Sequence, residues 1–210
     1  MTQHSEIKTV VFDLGQVIIA WDPYLTVEGT VEPDEWKEFV SSGRFTTLAH
    51  RADQGEFPKD VIADVAATSA RDAELISTYF KNFARSLTGP VPGTSKLVQE
   101  LRDRGYRTLG LSNWPRGMFH HAPATVPEIG EFEDIIVSGE VGMAKPDPEI
   151  FELLLTRHNL EPVQTVFIDD KAENVNAAKS LGIHGIVFTD ANTLRTELKS
   201  LGVQLGEDPS

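Results

Sequence analysis

Short apolar runs that end abruptly in polar residues constrain this chain more than any other feature. Val10-Val11-Phe12 ends in Asp13, Thr108-Leu109-Gly110-Leu111 ends in Ser112-Asn113, and Val166-Phe167-Ile168 ends in Asp169-Asp170. Runs of this length and character predict strands buried on both faces, as in a parallel sheet. Helical segments between them predict a βαβα rhythm with helices on both faces of the sheet. In such open sheets ligands bind outside the carboxyl ends of the strands. Three strand ends, with the loop carrying Lys145, would then gather carboxylates, a hydroxyl, an amide and an ammonium in one crevice. That set of groups suits Mg²⁺ and an anionic substrate.

The helices are expected at Ser95–Arg104, Asp147–His158, Glu173–Leu181 and Leu194–Leu201, with strands at Lys8–Asp13, Tyr106–Leu111, around Ile135-Ile136-Val137, at Thr165–Ile168 and at Ile183–Phe188. From Asp22 to about Ser86 the rhythm breaks and amphipathic helical segments follow one another. Pro33 and Pro58 mark two helix starts, since proline is favoured in a first turn. Leu75, Ile76, Tyr79, Phe80 and Phe83 fall at helical spacing within an expected helix from Asp72 to Leu87. Thr88-Gly89-Pro90-Val91-Pro92-Gly93 reads as a boundary. The organisation expected is an α/β core from residues 1–20 and 88–203, an inserted helical cap at 21–87, and a disordered tail at 204–210. Leu14 to Ala20 reads as a loop.

Composition excludes several classes of function. The net charge of -13, from 32 acidic against 19 basic residues, opposes nucleic acid and anionic membranes as partners. The absence of cysteine excludes disulfides, thiolate catalysis and cysteine-based zinc sites. The first residues lack the apolar centre of a signal peptide, and no apolar stretch reaches spanning length, so a cytoplasmic protein is expected. Nothing marks an interface, and the oligomeric state is left open.

Each candidate residue has chemistry that fits its type. A carboxylate such as Asp13 can attack phosphorus or an alkyl carbon, and is also a hard oxygen ligand for Mg²⁺. Adjacent carboxylates at Asp169-Asp170 raise one another's pKa, and a divalent cation relieves this. Asp is also favoured as a helix N-cap, and both roles can hold together. Ser112 and Asn113 offer donors to phosphate oxygens, or form a simple turn. Lys145, between Gly142 and Pro146, can neutralise charge that develops in phosphoryl transfer.

Taken together, VVFDLGQV (10–17), LSNW (111–114), GMAKPDPEIF (142–151) and VFIDDKAENVNAA (166–178) resemble the four motifs of the haloacid dehalogenase-like hydrolases, over Lys8 to Leu201. The helical block resembles the small cap that one subfamily carries between its first and second motifs. The pattern DLG, LSN, MxKP and DDxxxN is most similar to that of bacterial α-glucose-1-phosphate phosphatases. The resemblance implies a Rossmann-like core and a Mg²⁺-dependent phosphatase acting on a small phosphorylated metabolite, such as a sugar phosphate. It implies Asp13 as nucleophile and metal ligand, a Gly15 carbonyl and Asp170 on the metal, and Asp169 near it. Ser112, Asn113 and Lys145 would hold the phosphate, and Asn174 would buttress the site. Trp21 and Trp114, with Phe45 and His50, are expected at the substrate rim.

One position departs from the family pattern. A second Asp normally stands two residues after the nucleophile, to protonate the leaving alcohol and activate water, and here that residue is Gly15. Asp22 and His50 are the candidate substitutes. A halide leaves without protonation, so a metal-free 2-haloacid dehalogenase is an alternative, although Asp169-Asp170 would have little purpose there. A weakly catalytic metal- and phosphate-binding regulatory member is a second alternative.

Overall fold

The run before Asp13 forms strand β1 (Thr9–Phe12), buried along its whole length, in the computed structural model, which describes residues 6–206. Successive strand side chains point to opposite faces. Accordingly Val10 and Phe12 join one apolar cluster, and Val11 joins another. The remaining strands are β2 (Ile19–Trp21), β3 (Leu87–Pro90), β4 (Arg107–Ser112), β5 (Ile135–Val137), β6 (Thr165–Asp169) and β7 (His184–Val187). Five of them make one parallel sheet in the order β5-β4-β1-β6-β7. Parallel neighbours require crossovers, and helices supply them.

Helices α1 (Pro33–Ser41), α2 (Arg44–Asp53), α3 (Pro58–Ala66) and α4 (Ala70–Lys81) lie between β2 and β3. The later ones are α5 (Thr94–Asp103), α6 (His121–Thr125), α7 (Ser138–Val141), α8 (Pro148–His158), α9 (Ala172–Ser180) and α10 (Ala191–Ser200). Leu97 and Leu101 of α5 and Leu194 and Leu198 of α10 pack in the cluster of Val10 and Phe12. Ile150, Phe151 and Leu154 of α8 and Ala178 of α9 pack with Val11 and Phe167 on the other face. The α/β core expected from the sequence is therefore observed.

The block from α1 to α4, at the place where the cap is expected, packs around an aromatic cluster. Phe45 sits 5.0 Å from both Trp36 and Tyr79 and stacks with Trp21 at 6.5 Å, measured between ring centroids. Helix α4 is capped by Ser69, whose side chain accepts a bond from the Asp72 N–H, one of the unpaired donors of a first turn.

Several local expectations are corrected. The helix expected from Asp72 to Leu87 stops at Lys81, where Asn82 turns aside to donate its Nδ2 to the Thr26 carbonyl. The segment read as a boundary contains β3, which pairs antiparallel with β2, part of a segment read as loop. These two strands form a ribbon at the root of the cap. Residues 204–206, expected in a disordered tail, are bound to the core: Gln204 N–H donates to the Tyr106 hydroxyl and Gly206 N–H to Glu100. The rest of that segment, 207–210, lies outside the described residues. No described helix is long and apolar enough to cross a membrane.

Candidate active site

Sheet register brings the acidic residues together. Phe12 stands opposite Ile168 in the β1–β6 pairing, and the Asp13 N–H donates to the Ile168 carbonyl at 2.8 Å. Asp13 and the Asp169-Asp170 pair thus leave neighbouring strands at one level, where the sheet order switches from one side of β1 to the other. Carboxylate oxygens of Asp13, Asp169 and Asp170 lie within 4.8 Å of one another.

Lys145 reaches this cluster from the loop before α8. Its Nζ donates to Asp169 at 2.7 Å and to the Leu111 carbonyl at 2.7 Å, and pairs with Asp13 at 2.9 Å. Burial works against the ammonium, but the Asp13 and Asp169 carboxylates outweigh it and hold the lysine pKa above its ordinary value. Burial raises the Asp13 carboxyl to about 6, with Lys145 opposing and Asp169 adding to the rise. Asp170 is also raised, by burial first and then by Asp169. Three carboxylates around one ammonium leave excess negative charge, which a divalent cation would relieve.

Sequence-predicted residues of the site also contact one another. In the Asn113 carboxamide, Nδ2 donates to the Lys145 carbonyl at 2.8 Å and Oδ1 accepts the Lys145 N–H at 2.9 Å. It clasps the lysine loop, and its side chain positions Lys145. Asp169 is fully buried and takes bonds from Lys145, from the Lys171 N–H and, on both oxygens, from Asn174 Nδ2 at 3.0 Å. Asn174 is thus the buttress the sequence suggested. Ser112 is buried at the end of β4, and its Oγ has no hydrogen-bond partner among the described residues. An unpaired buried hydroxyl costs about 1–3 kcal/mol, which a polar ligand would offset.

Above this floor lies a cleft of about 540 Å³ between core and cap. Asp13, Gly15, Asn113, Lys145, Asp170 and Lys171 line its base, while Ile19, Trp21, Val40, Phe45, Tyr79, Phe83, Leu87 and Trp114 line its walls. Trp21, Phe45, Trp114 and His50, expected at the substrate rim, all line this cleft. Asp22 does not: its carboxylate accepts the Tyr24 N–H and caps a turn at the cap entrance. Asp53, which the sequence gave no reason to choose, does line the cleft. Helix α2 follows Gly43, which has no side chain to cap it, so no start signal pointed to the helix that carries Asp53.

This architecture defines a Rossmann-like parallel α/β core with an acidic cluster at the carboxyl ends of its strands. The haloacid dehalogenase-like hydrolase profile matches residues 7–182, and the chain belongs to that family. It is 28% identical over 200 residues to the sesquiterpene phosphatase astK of Aspergillus oryzae, covering 92% of this chain and 96% of that protein. It is 26% identical to the drimenol cyclase drtB of Aspergillus calidoustus, covering 93% of this chain but only 36% of that longer protein. A family enzyme of Bacteroides thetaiotaomicron, solved with magnesium and inorganic phosphate, superposes with a TM-score of 0.63 at 24% identity, covering 88% of this chain and 95% of that one.

Proposed function

We propose that this hydrolase is a Mg²⁺-dependent phosphomonoesterase working through an aspartyl-phosphate, with a substrate whose organic part is largely apolar. One observation carries this reading: a charged floor of carboxylates and one lysine lies beneath walls that are mainly aromatic and aliphatic. The residues fit the metal. Asp13, Asp170 and the Gly15 carbonyl would hold it, with Asp169 close by, and it would supply charge neutralisation at a phosphate oxygen. The carboxylate cluster favours this over a metal-free dehalogenase.

Asp13 attacks phosphorus in line. Lys145, held by Asp169 and by the Asn113 clasp, offsets charge on the phosphoryl group, and Ser112 Oγ–H is available as a donor to it. The walls favour an apolar leaving group over the sugar expected from the sequence, and the kinship with a sesquiterpene phosphatase supports that choice. Each buried methylene contributes about 0.8 kcal/mol, so two add close to a tenfold preference.

The test is phosphate release from an isoprenyl monophosphate, from glucose 1-phosphate and from p-nitrophenyl phosphate, with Mg²⁺ and with EDTA. Mg²⁺-dependent release that favours the isoprenyl ester at least tenfold in kcat/KM over glucose 1-phosphate is expected, and Asp13→Asn abolishes it. A preference for the sugar ester would refute the apolar assignment. Halide release from 2-haloacids in EDTA, without phosphatase activity, would refute the whole reading.

A further inference from the structure

With glycine at position 15, the core offers no obvious group to protonate a leaving alcohol. Among the other titratable groups of the cleft, Asp170 belongs to the acidic cluster with Asp13, and Lys171 is exposed. Lys145 is committed to two carboxylates and a carbonyl. Burial, and then Asp53, push the Tyr79 hydroxyl well above its usual pKa, making it a poor acid. Glu173 is exposed at the start of α9. His50 and Asp53 remain, both on α2.

The geometry around Asp53 is more constrained. It is the last residue of α2, and the chain on either side of it is fastened to the core by one residue. Arg116 donates its backbone N–H to the Ala52 carbonyl at 3.1 Å and its Nη1 to the Gly55 carbonyl at 2.9 Å. A Cβ at Gly55 would lie 3.1 Å from Gly142 Cα, so cap and core backbones touch there. Between these fastenings the Asp53 carboxylate lines the cleft and makes no hydrogen bond or ion pair among the described residues. It lies near enough to Asp13, Lys145 and Lys171 to feel their charges. Burial raises its carboxyl to about 7, against the pull of Lys171 and Lys145. A proton is therefore available there near neutral pH.

We propose that Asp53, presented by the cap across the cleft from Asp13, is the general acid and base that position 15 does not provide. The proposal rests on the phosphatase reading. In the first step the Asp13 oxygen bonds to phosphorus as the bond to the ester oxygen breaks. The electron pair goes to that oxygen, which takes the Asp53 proton and leaves as the alcohol. In the second step Asp53, now a carboxylate, removes a proton from water as the water oxygen bonds to phosphorus. The bond to Asp13 breaks, its electron pair returns to Asp13, and inorganic phosphate forms with Asp53 protonated again.

The experiment compares kcat/KM at saturating Mg²⁺ for an unactivated alkyl phosphate and for p-nitrophenyl phosphate. Alkoxide needs a proton to leave, whereas p-nitrophenoxide does not, and kcat/KM reports only steps through leaving-group departure. Asp53→Asn is expected to lower the alkyl value by about 10²–10⁴-fold, and the aryl value by roughly less than tenfold. The residual aryl activity shows that the variant folds. Adding Gly15→Asp to Asp53→Asn should recover alkyl turnover at least tenfold, because a Cβ at position 15 meets nothing within 4 Å.

Equal losses on both esters, or no loss on the alkyl ester, would overturn the proposal. So would the selective alkyl loss appearing in His50→Gln and not in Asp53→Asn. Wild-type protein that released no phosphate from either ester with Mg²⁺ would instead refute the phosphatase reading, and this proposal with it. A wild-type phosphatase indifferent to Asp53 would leave that reading intact and remove only the acid.

Discussion

Replacing Lys145 with methionine should destabilise the fold in a pH-dependent way. The side chain is 1% exposed, and its Nζ touches Asp169 at 2.7 Å and Asp13 at 2.9 Å, whose side chains are 0% and 12% exposed. Methionine keeps much of the aliphatic stem and removes the charge. Removing one partner of a buried ion pair costs about 3–5 kcal/mol, because the remaining charge is left uncompensated. Asp13 is already held at about 6, against an ordinary 3.8, while the ammonium opposes the rise. Without it the folded value climbs further, and each unit is worth about 1.4 kcal/mol. A carboxyl whose folded pKa is raised weakens the fold as pH rises above its unfolded value. The penalty grows until the folded pKa is passed. The deficit of Lys145→Met relative to wild type should therefore be small near pH 4, reach about 2 kcal/mol by pH 7.5, and approach 3–5 kcal/mol only as pH passes the raised folded pKa. Urea unfolding in EDTA at pH 4, 5.5 and 7.5 measures it. A deficit that is equal at all three pH values would refute the electrostatic argument and point to lost packing. A deficit below about 1 kcal/mol at pH 7.5 would show that the pair behaves as an exposed one.

Two further outcomes follow from the same geometry. Mg²⁺ at a hundred times its Kd should stabilise wild type by about 2.7 kcal/mol, a rise of roughly 5–10 °C in Tm for a chain of this size. Asp170→Asn should lose most of that shift by calorimetry, and an undiminished shift would place the metal elsewhere. Gly139→Ala would set a Cβ 2.5 Å from Trp114 O and Arg116 N, and should cost about 1–3 kcal/mol or more in urea melts. Gly130→Ala, with nothing within 4 Å, is the near-neutral control.

What could be read from sequence, and what could not, divides along physical lines. The core strands were legible because Val10-Val11-Phe12 and Val166-Phe167-Ile168 are buried on both faces, which requires continuous apolar runs. Asp13, Asp169 and Asp170 were legible because they end such runs, and parallel register then brings them side by side. The β2–β3 ribbon was hidden because Trp21 meets Leu87 only after the whole cap has folded between them. The Asn113 clasp was hidden for a related reason. An amide after a strand serves a phosphate or a neighbouring loop equally well, and only the path of residues 142–146 decides which. Asp53 had neither an apolar run before it nor a capped helix start. Its candidacy comes from cap docking, a tertiary property with no local signature.

That docking makes Arg116 the most informative residue outside the charged floor. Its side chain contributes one bond to the Gly55 carbonyl and lies over the Phe57 ring, 4.1 Å from the centroid. Phe57 is 45% exposed, so the cation–π contact is worth about 0.5–1 kcal/mol. Arg116→Met retains the backbone bond to Ala52 and should lower global stability by only about 1–2 kcal/mol. If Asp53 acts from its pinned loop, loosening that loop misplaces the acid without touching Asp13 or Lys145. A misplacement of about 1 Å can cost 10²-fold in rate. Alkyl phosphate kcat/KM should then fall well beyond the stability change, while p-nitrophenyl phosphate turnover falls little. Proportionate losses on both esters would mean that the latch holds the cap as a whole and that the acid lies elsewhere. In Asp53→Asn the acid is already gone, so adding Arg116→Met should cost little more on the alkyl ester. Such non-additivity distinguishes a positioning residue from an independent contributor to the reaction.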